Sequence, residues 1–156
     1  MTHFVLIHGG LHGGWCWERV VPLLEAAGHT AVAPNLPGMG GDPTPLRDVT
    51  LARNGDFVAD VIRKQGKPVI LVGHSMGGLS ISEAAERVPE RIIGLIYLTA
   101  ELLPHGARMA DQGGSEHHAE GLIVSPEGSS TTYKAAVAPK IFYNRTDPAI
   151  AARAAA

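Results

Sequence analysis

Four short apolar runs alternate with helical patterns over the first hundred residues, and this order constrains the fold more than any other feature. The predicted strands are residues 3–8, 29–33, 69–72 and 92–98. The predicted helices are residues 15–27, 51–65 and 75–88. Because a strand, a crossover helix and a further strand form a right-handed parallel unit, the order predicts an α/β fold. We expect a mostly parallel sheet with helices on both faces.

The alternation ends near residue 103, and the rest of the chain has a different character. We therefore predict an α/β core over 1–103 and a second, smaller region over 104–156, with weak helices at 131–138 and 146–156. Residues 150–156 form a strong helical pattern without the Gly, Asn or Pro that commonly ends a helix. This pattern predicts that the sequence is the N-terminal part of a longer protein; the alternative is a real chain end in a fraying helix.

Composition narrows the function classes. Hydrophobic residues make up 45% of the 156 residues, charged residues 18%, and the formal net charge is -2. A nucleic acid or an anionic membrane would favour a clustered excess of Lys and Arg, so neither is an expected partner. Cys16 is the single cysteine of the sequence, which excludes a disulfide within the chain. No apolar run approaches the ~20 residues of a membrane span. The sequence also begins without the basic segment of a signal peptide, so we expect a cytoplasmic protein.

The sharpest local motif is Gly73-His74-Ser75-Met76-Gly77, which matches the pattern G-x-S-x-G. A predicted strand precedes it and a predicted helix follows it. The flanking glycines permit a tight, strained turn that lifts the Ser75 hydroxyl clear of the sheet. The alternative is an ordinary glycine-rich turn with a serine N-cap. The strand and helix context favours Ser75 as a catalytic nucleophile, with the Met76 N–H as a donor to an oxyanion.

A second glycine-rich segment, His8-Gly9-Gly10, follows the first predicted strand. An oxyanion hole needs a second backbone N–H from the loop at this position, and we expect it from Gly10. A phosphate cradle or a plain turn are the alternatives. The phosphate alternative is weak because neither G-x-G-x-x-G nor G-x-x-x-x-G-K-[ST] occurs.

Residues 8–17, 22–29 and 69–78 together resemble the α/β-hydrolase superfamily. More closely, they resemble its branch of plant methyl esterases, hydroxynitrile lyases and bacterial carboxylesterases, with 104–156 in the place of the cap. The resemblance implies a serine hydrolase that cleaves small carboxylic esters through an acyl-enzyme on Ser75, without a cofactor or metal. Lyases of this branch tend to carry Thr at the position of Gly9, which favours ester hydrolysis over cyanohydrin cleavage.

The resemblance also implies a missing base. In the superfamily the histidine follows the last strand and the acid follows the strand before it, and both strands would lie beyond residue 156, so the fold would be incomplete. The chain could be part of a longer enzyme, a local histidine could substitute, or a second copy could complete the sheet at the apolar edge of 92–98. A non-catalytic truncated fragment is the remaining alternative.

Local candidates exist for the missing groups. Glu101 follows the fourth predicted strand and is a candidate acid, although a solvent-exposed loop carboxylate is the simpler interpretation. His105, His117 and His118 are candidate bases in a polar stretch. Glu116-His117-His118 lacks the spacing of a metal site, so no metal is expected.

Three further sets of residues are assigned by their position after the strands. Leu11 and Leu103 are candidate walls of a substrate pocket. His74 adjoins Ser75 in sequence, but a sharp turn would point it away as a packed histidine. His8 and His12 are expected to shape the glycine loop and not to ionise in catalysis.

Overall fold

The computed structural model describes residues 1–109, 121–128 and 130–155, which fall into two compact units, Met1–His105 and Gly106–Ala156. The elements of the first unit are β1 (His3–Ile7), a 3-10 helix (Gly14–Trp17), α1 (Val21–Ala26), β2 (Thr30–Val32), a 3-10 helix (Leu46–Asp48), α2 (Leu51–Lys64), β3 (Val69–His74), α3 (Gly77–Arg87), a 3-10 helix (Pro89–Arg91) and β4 (Ile92–Leu98). Those of the second unit are β5 (Leu122–Val124), β6 (Thr131–Tyr133), α4 (Ala138–Phe142) and α5 (Pro148–Ala154).

The four strands of the first unit form one parallel sheet in the order β2-β1-β3-β4, which confirms the predicted fold class. Ile7 at the end of β1 pairs with Gly73, and His74 at the end of β3 pairs with Leu98 at the end of β4. Because the carboxyl ends of parallel strands meet at one edge of the sheet, the loops after β1, β3 and β4 leave it side by side. Those loops carry every site residue predicted in this unit.

Helices cover both faces of the sheet. On one face, alternate strand residues such as Val5, Ile7 and Leu71 pack against Val58 of α2 and Ile81 of α3. The opposite face is formed by the intervening strand residues, and it packs against the 3-10 helix and α1. The residues of this second cluster include Leu6, Val72, Trp17, Val21 and Leu24. This alternation explains why the strands read as continuous apolar runs.

Two helix predictions were wrong in detail. The helix expected over 15–27 is divided into a 3-10 helix and the six-residue α1, whose first turn contains Pro22. Proline favours a helix start because it has no N–H to donate to a preceding turn. In the helix expected over 131–138, Thr131–Tyr133 instead forms β6, which pairs antiparallel with β5. Thr and Tyr favour extended structure, and the hairpin partner completes their hydrogen bonds.

β4 has the composition of an interior strand although it lies at an edge of the sheet. It carries no charged residue and no proline, and Ile93, Leu95, Ile96 and Leu98 are exposed. Among the described residues, no strand pairs with its outer edge. The pairing of this edge with a second copy of the chain stays a prediction. Within the same described ranges, no helix has the length and apolar character needed to cross a membrane.

Candidate active site

Ser75 lies on a left-handed turn between β3 and α3. Its φ angle is 52°, a conformation that is costly for a residue with a side chain and that surrounding structure must enforce. Two glycines let the surrounding backbone segments come close enough to hold this turn. A Cβ at Gly73 would lie 2.8 Å from the Gly77 carbonyl, and a Cβ at Gly77 would lie 2.7 Å from the His8 carbonyl. The spacing of the motif therefore reflects direct backbone contact between β3, α3 and the end of β1.

The loop after β4 is joined to the same turn. The Ser75 carbonyl accepts hydrogen bonds from the N–H of Gly78 and from the N–H of Glu101, each at 3.0 Å. A Cβ at Gly78 would meet the Glu101 carbonyl, so only glycine fits there without a shift of backbone. Glu101 is thus placed beside the serine through its main chain, and its side chain is half-buried.

The glycine loop after β1 approaches the turn from the other side. A Cβ at Gly9 would lie only 2.9 Å from the Ser75 Cβ, and one at Gly10 would lie 3.6 Å from the Met76 Sδ. No acceptor in the described part of the chain takes the N–H of Gly10 or of Met76. Two backbone donors therefore have no partner among the described residues. One lies in each of the two segments that meet at the half-buried Ser75.

Two histidines hold the glycine loop. His8 is fully buried, and its Nδ1–H donates to the Gly9 carbonyl at 2.7 Å while its Nε2 accepts the Leu36 N–H at 3.0 Å. The His12 Nδ1–H donates to the Gly10 carbonyl at 2.9 Å, and its ring stacks on Trp15. Burial lowers the pKa of His8, which keeps its ring neutral. Both histidines therefore have structural contacts of the kind expected for shaping this loop.

His74 lies against the glycine loop. Its Nδ1 is 3.2 Å from the position that a Cβ on Gly9 would take, and its side chain is half-buried. Burial lowers the pKa of His74, with a smaller contribution from the charge of His12. Within the described ranges no hydrogen bond joins its ring to the Ser75 hydroxyl.

The predicted bases are not assembled with the serine. Across the described residues the Ser75 hydroxyl has no hydrogen-bond partner. His105 is exposed, and His117 and His118 lie outside the described residues. The role of Glu101 as the acid also stays a prediction, because no contact is observed between its carboxylate and a histidine in the described part of the chain.

The remaining predicted positions have simple structural descriptions. Leu11 is exposed and has a φ angle of 66°, and Leu103 is half-buried; their role as pocket walls stays a prediction. Asn35 follows β2, where the expected role is in loop structure and not in catalysis, and it bridges two loops. Its Oδ1 accepts the Gly14 N–H and its Nδ2 donates to the Gly40 carbonyl, both at 2.7 Å.

No three His, Cys, Asp or Glu side chains gather as metal ligands among the residues that the structure describes. The Glu116-His117-His118 segment, for which no metal was expected, lies outside them.

The sequence matches the alpha/beta hydrolase family over residues 4–156, and the chain belongs to that family. Methylesterase 1 of Arabidopsis thaliana is 42% identical over 104 residues, which cover 63% of this chain and 39% of the relative. The pyrethroid hydrolase of Sphingobium wenxiniae is 45% identical over 107 residues, which cover 68% of this chain and 38% of the relative. These relatives confirm the resemblance to the methyl esterase branch. The chain spans about two fifths of the length of the curated relatives it matches.

Solved structures agree on the fold. A histidine-to-alanine variant of tomato methylketone synthase I superposes with a TM-score of 0.85 at 24% identity, covering 99% of this chain and 65% of that one. An extracellular alpha/beta-hydrolase from a Paenibacillus species, described as homologous to tobacco salicylic acid binding protein 2, superposes with a TM-score of 0.77 at 28% identity. That match covers 97% of this chain and 63% of the other.

Proposed function

We propose that the chain provides the nucleophile and the oxyanion-binding part of a carboxylesterase that cleaves small carboxylic esters. The observation that carries the proposal is the position of Ser75. It lies on an enforced left-handed turn, half-exposed, next to the unpartnered N–H groups of Gly10 and Met76. Relatives named as methylesterase and pyrethroid hydrolase support esters as the substrate class.

In the proposed reaction, the Ser75 oxygen attacks the ester carbonyl carbon and its proton passes to a base. The carbonyl oxygen becomes negative and accepts hydrogen bonds from the N–H groups of Gly10 and Met76. The C–O bond to the alcohol then breaks, the alcohol leaves with the proton, and an acyl-enzyme remains. Water then attacks the acyl-enzyme and releases the acid. Leu11 and Leu103 are the proposed apolar walls for the acyl group.

No base is hydrogen-bonded to the Ser75 hydroxyl among the described residues. A serine hydroxyl at its ordinary pKa is a weak nucleophile and needs an adjacent base. His105, His117 and His118 remain the candidates within the chain, with Glu101 as the acid that would orient one of them. If none of them acts, a histidine from another polypeptide segment is required.

A fluorophosphonate probe tests the nucleophile directly, because it reacts with a serine that has both a base and an oxyanion site. The wild-type chain should be labelled at Ser75, located by peptide mass, and should release p-nitrophenol from p-nitrophenyl esters. Ser75→Ala should lose both reactions. Ser82→Ala is a matched control, since the Ser82 hydroxyl is already bonded to the Gly78 carbonyl and the Tyr97 hydroxyl.

Two results would contradict the proposal. Ester turnover that persists in Ser75→Ala would remove Ser75 from the mechanism. A folded wild-type chain that is not labelled would favour a non-catalytic fragment. The lyase alternative is separated by an aromatic cyanohydrin, since release of cyanide without ester hydrolysis would assign the site to carbon–carbon bond cleavage.

A further inference from the structure

We propose that His8 and His12 are positioning residues that fix the two peptide planes of the Gly9-Gly10 loop and so aim the Gly10 N–H at the substrate oxygen. This inference rests on the proposed function, because it assigns a task to that N–H. Neither ring exchanges a proton with the substrate in this proposal. Each acts through a carbonyl group of the loop.

The orientation follows from the geometry of a trans peptide. In such a peptide the carbonyl of one residue and the N–H of the next point in opposite directions, and no cis peptide occurs among the described residues. The Gly9 carbonyl is bonded to the His8 ring, so the Gly10 N–H points away from that ring. The His8 ring in turn is fixed by the Leu36 N–H.

The order of the strands shows toward which side of the loop the Gly10 N–H points. β2 and β3 flank β1 on opposite sides, and Leu36 belongs to the segment after β2, whereas Ser75 follows β3. The Gly9 carbonyl is therefore held toward the β2 side of the loop. The Gly10 N–H is directed toward the β3 side, where the serine and Met76 lie.

Glycine makes such a restraint necessary. A peptide between two glycines rotates easily, because neither residue has a Cβ to restrict it. A rotation of the Gly9-Gly10 peptide would present a carbonyl oxygen to the substrate oxygen in place of an N–H. The buried His8 donor opposes that rotation, because the Gly9 carbonyl would lose a bond of 2.7 Å.

His12 restrains the next peptide. Its Nδ1–H donates to the Gly10 carbonyl across Leu11, whose φ angle of 66° is unfavourable for a residue with a side chain. The hydrogen bond closes a turn around Leu11 and stabilises that conformation. Packing of the His12 ring on Trp15, with centroids 5.4 Å apart, holds the donor in place.

Histidine tautomers test the restraint without any assay of activity. Long-range ¹H–¹⁵N NMR spectra of the whole chain above the histidine titration range should show a protonated Nδ1 on both His8 and His12. His29 is the internal control, since its Nδ1 accepts the Thr2 N–H at 3.3 Å and it should carry its proton on Nε2. A proton on Nε2 of His8 or His12 would overturn the proposal.

Substitution of the half-buried His12 tests the consequence for chemistry. His12→Leu removes the donor, and we expect the rate of Ser75 labelling by a fluorophosphonate to fall by roughly tenfold or more, since complete loss of an oxyanion donor costs about 10²–10³ in kcat. His12→Asn places an amide N–H near the former Nδ1 and should restore most of the rate. His29→Leu, at the far end of β1, should label like the wild type.

The outcomes separate the two proposals. Equal labelling rates in His12→Leu and the wild type, with both folded, would refute the positioning role while leaving the nucleophile intact. Failure of His12→Asn to restore the rate would equally count against it. A wild-type chain without labelling would show that the chain alone lacks a working base and would count against esterase activity of this chain, and the NMR tautomers would still decide whether the two rings hold the loop as described.

Discussion

Replacement of Gly77 by alanine should destabilise the first unit because the new methyl group would meet main-chain atoms. A Cβ there would lie 2.7 Å from the His8 carbonyl oxygen and 2.8 Å from the Ile7 carbonyl oxygen. Neither oxygen can move without displacing β1, which is paired on both sides in the sheet. The contact is therefore a conflict between two backbone segments and not one that a side-chain rotation relieves.

The magnitude follows from two opposing effects. Overpacking of a well-packed site costs about 1–3 kcal/mol, and a conflict with backbone belongs in the upper part of that range. Alanine in a helix is favoured over glycine by about 1 kcal/mol. The net loss of unfolding free energy is therefore about 1–2 kcal/mol. For a unit of this size it corresponds to a fall in Tm of roughly 5–15 °C.

Gly94→Ala is the matched control in the same sheet. A Cβ at Gly94 would meet no atom within 4 Å, and its φ angle is not in the left-handed region. We expect this variant to match the wild type or exceed it by about 0.5 kcal/mol, because alanine reduces the entropy of the unfolded chain. Urea unfolding followed by tryptophan fluorescence measures both variants. Equal stability of Gly77→Ala and Gly94→Ala would refute the argument from backbone contact.

Two further predictions concern the glycine loop and the cysteine. Gly9→Ala should slow Ser75 labelling much more than Gly10→Ala, since a Cβ at Gly9 would lie 2.9 Å from the Ser75 Cβ and one at Gly10 would keep an ordinary 3.6 Å contact; similar rates for the two would contradict the geometry. Burial raises the pKa of Cys16 to about 11. At pH 8 about one thiol in a thousand would then be ionised, against roughly one in four for a free cysteine, so alkylation should accelerate on the order of a hundredfold on unfolding. A native rate within a few-fold of the unfolded rate would show that the thiol is not protected.

The strands and the serine turn could be predicted because their signals are local. A buried parallel strand needs apolar residues on both faces, so β1 and β3 appear as continuous apolar runs, and the edge strand β4 has the same composition. The turn at Ser75 needs glycine where β3 and α3 approach each other, and the sequence has Gly73 and Gly77 at these two positions. These requirements involve residues close in sequence, so a single sequence reveals them.

The hairpin of the second unit shows where local signals fail. Residues 131–138 contain too little pattern to decide between a helix and a strand. Thr131–Tyr133 is extended because Leu122–Val124 pairs with it, and Tyr133 also packs edge-on against Phe142 at 5.0 Å. The connecting segment turns where the Gly128 N–H donates to the Ser125 carbonyl at 2.9 Å, and this turn permits the pairing, but the pattern of 131–138 alone does not reveal it. A partner about ten residues away decided the structure of this segment.

The sequence by itself determined a parallel α/β core and a serine on a strained turn, because apolar periodicity and glycine spacing act over a few residues. Only the tertiary structure decided how the glycine loop is held. The His8 ring accepts a hydrogen bond from the Leu36 N–H, 28 residues away. The backbone N–H of Glu101, in the loop after β4, donates to the Ser75 carbonyl. Such contacts depend on the order in which strands pair, and that order brings together groups whose spacing along the chain carries no signal.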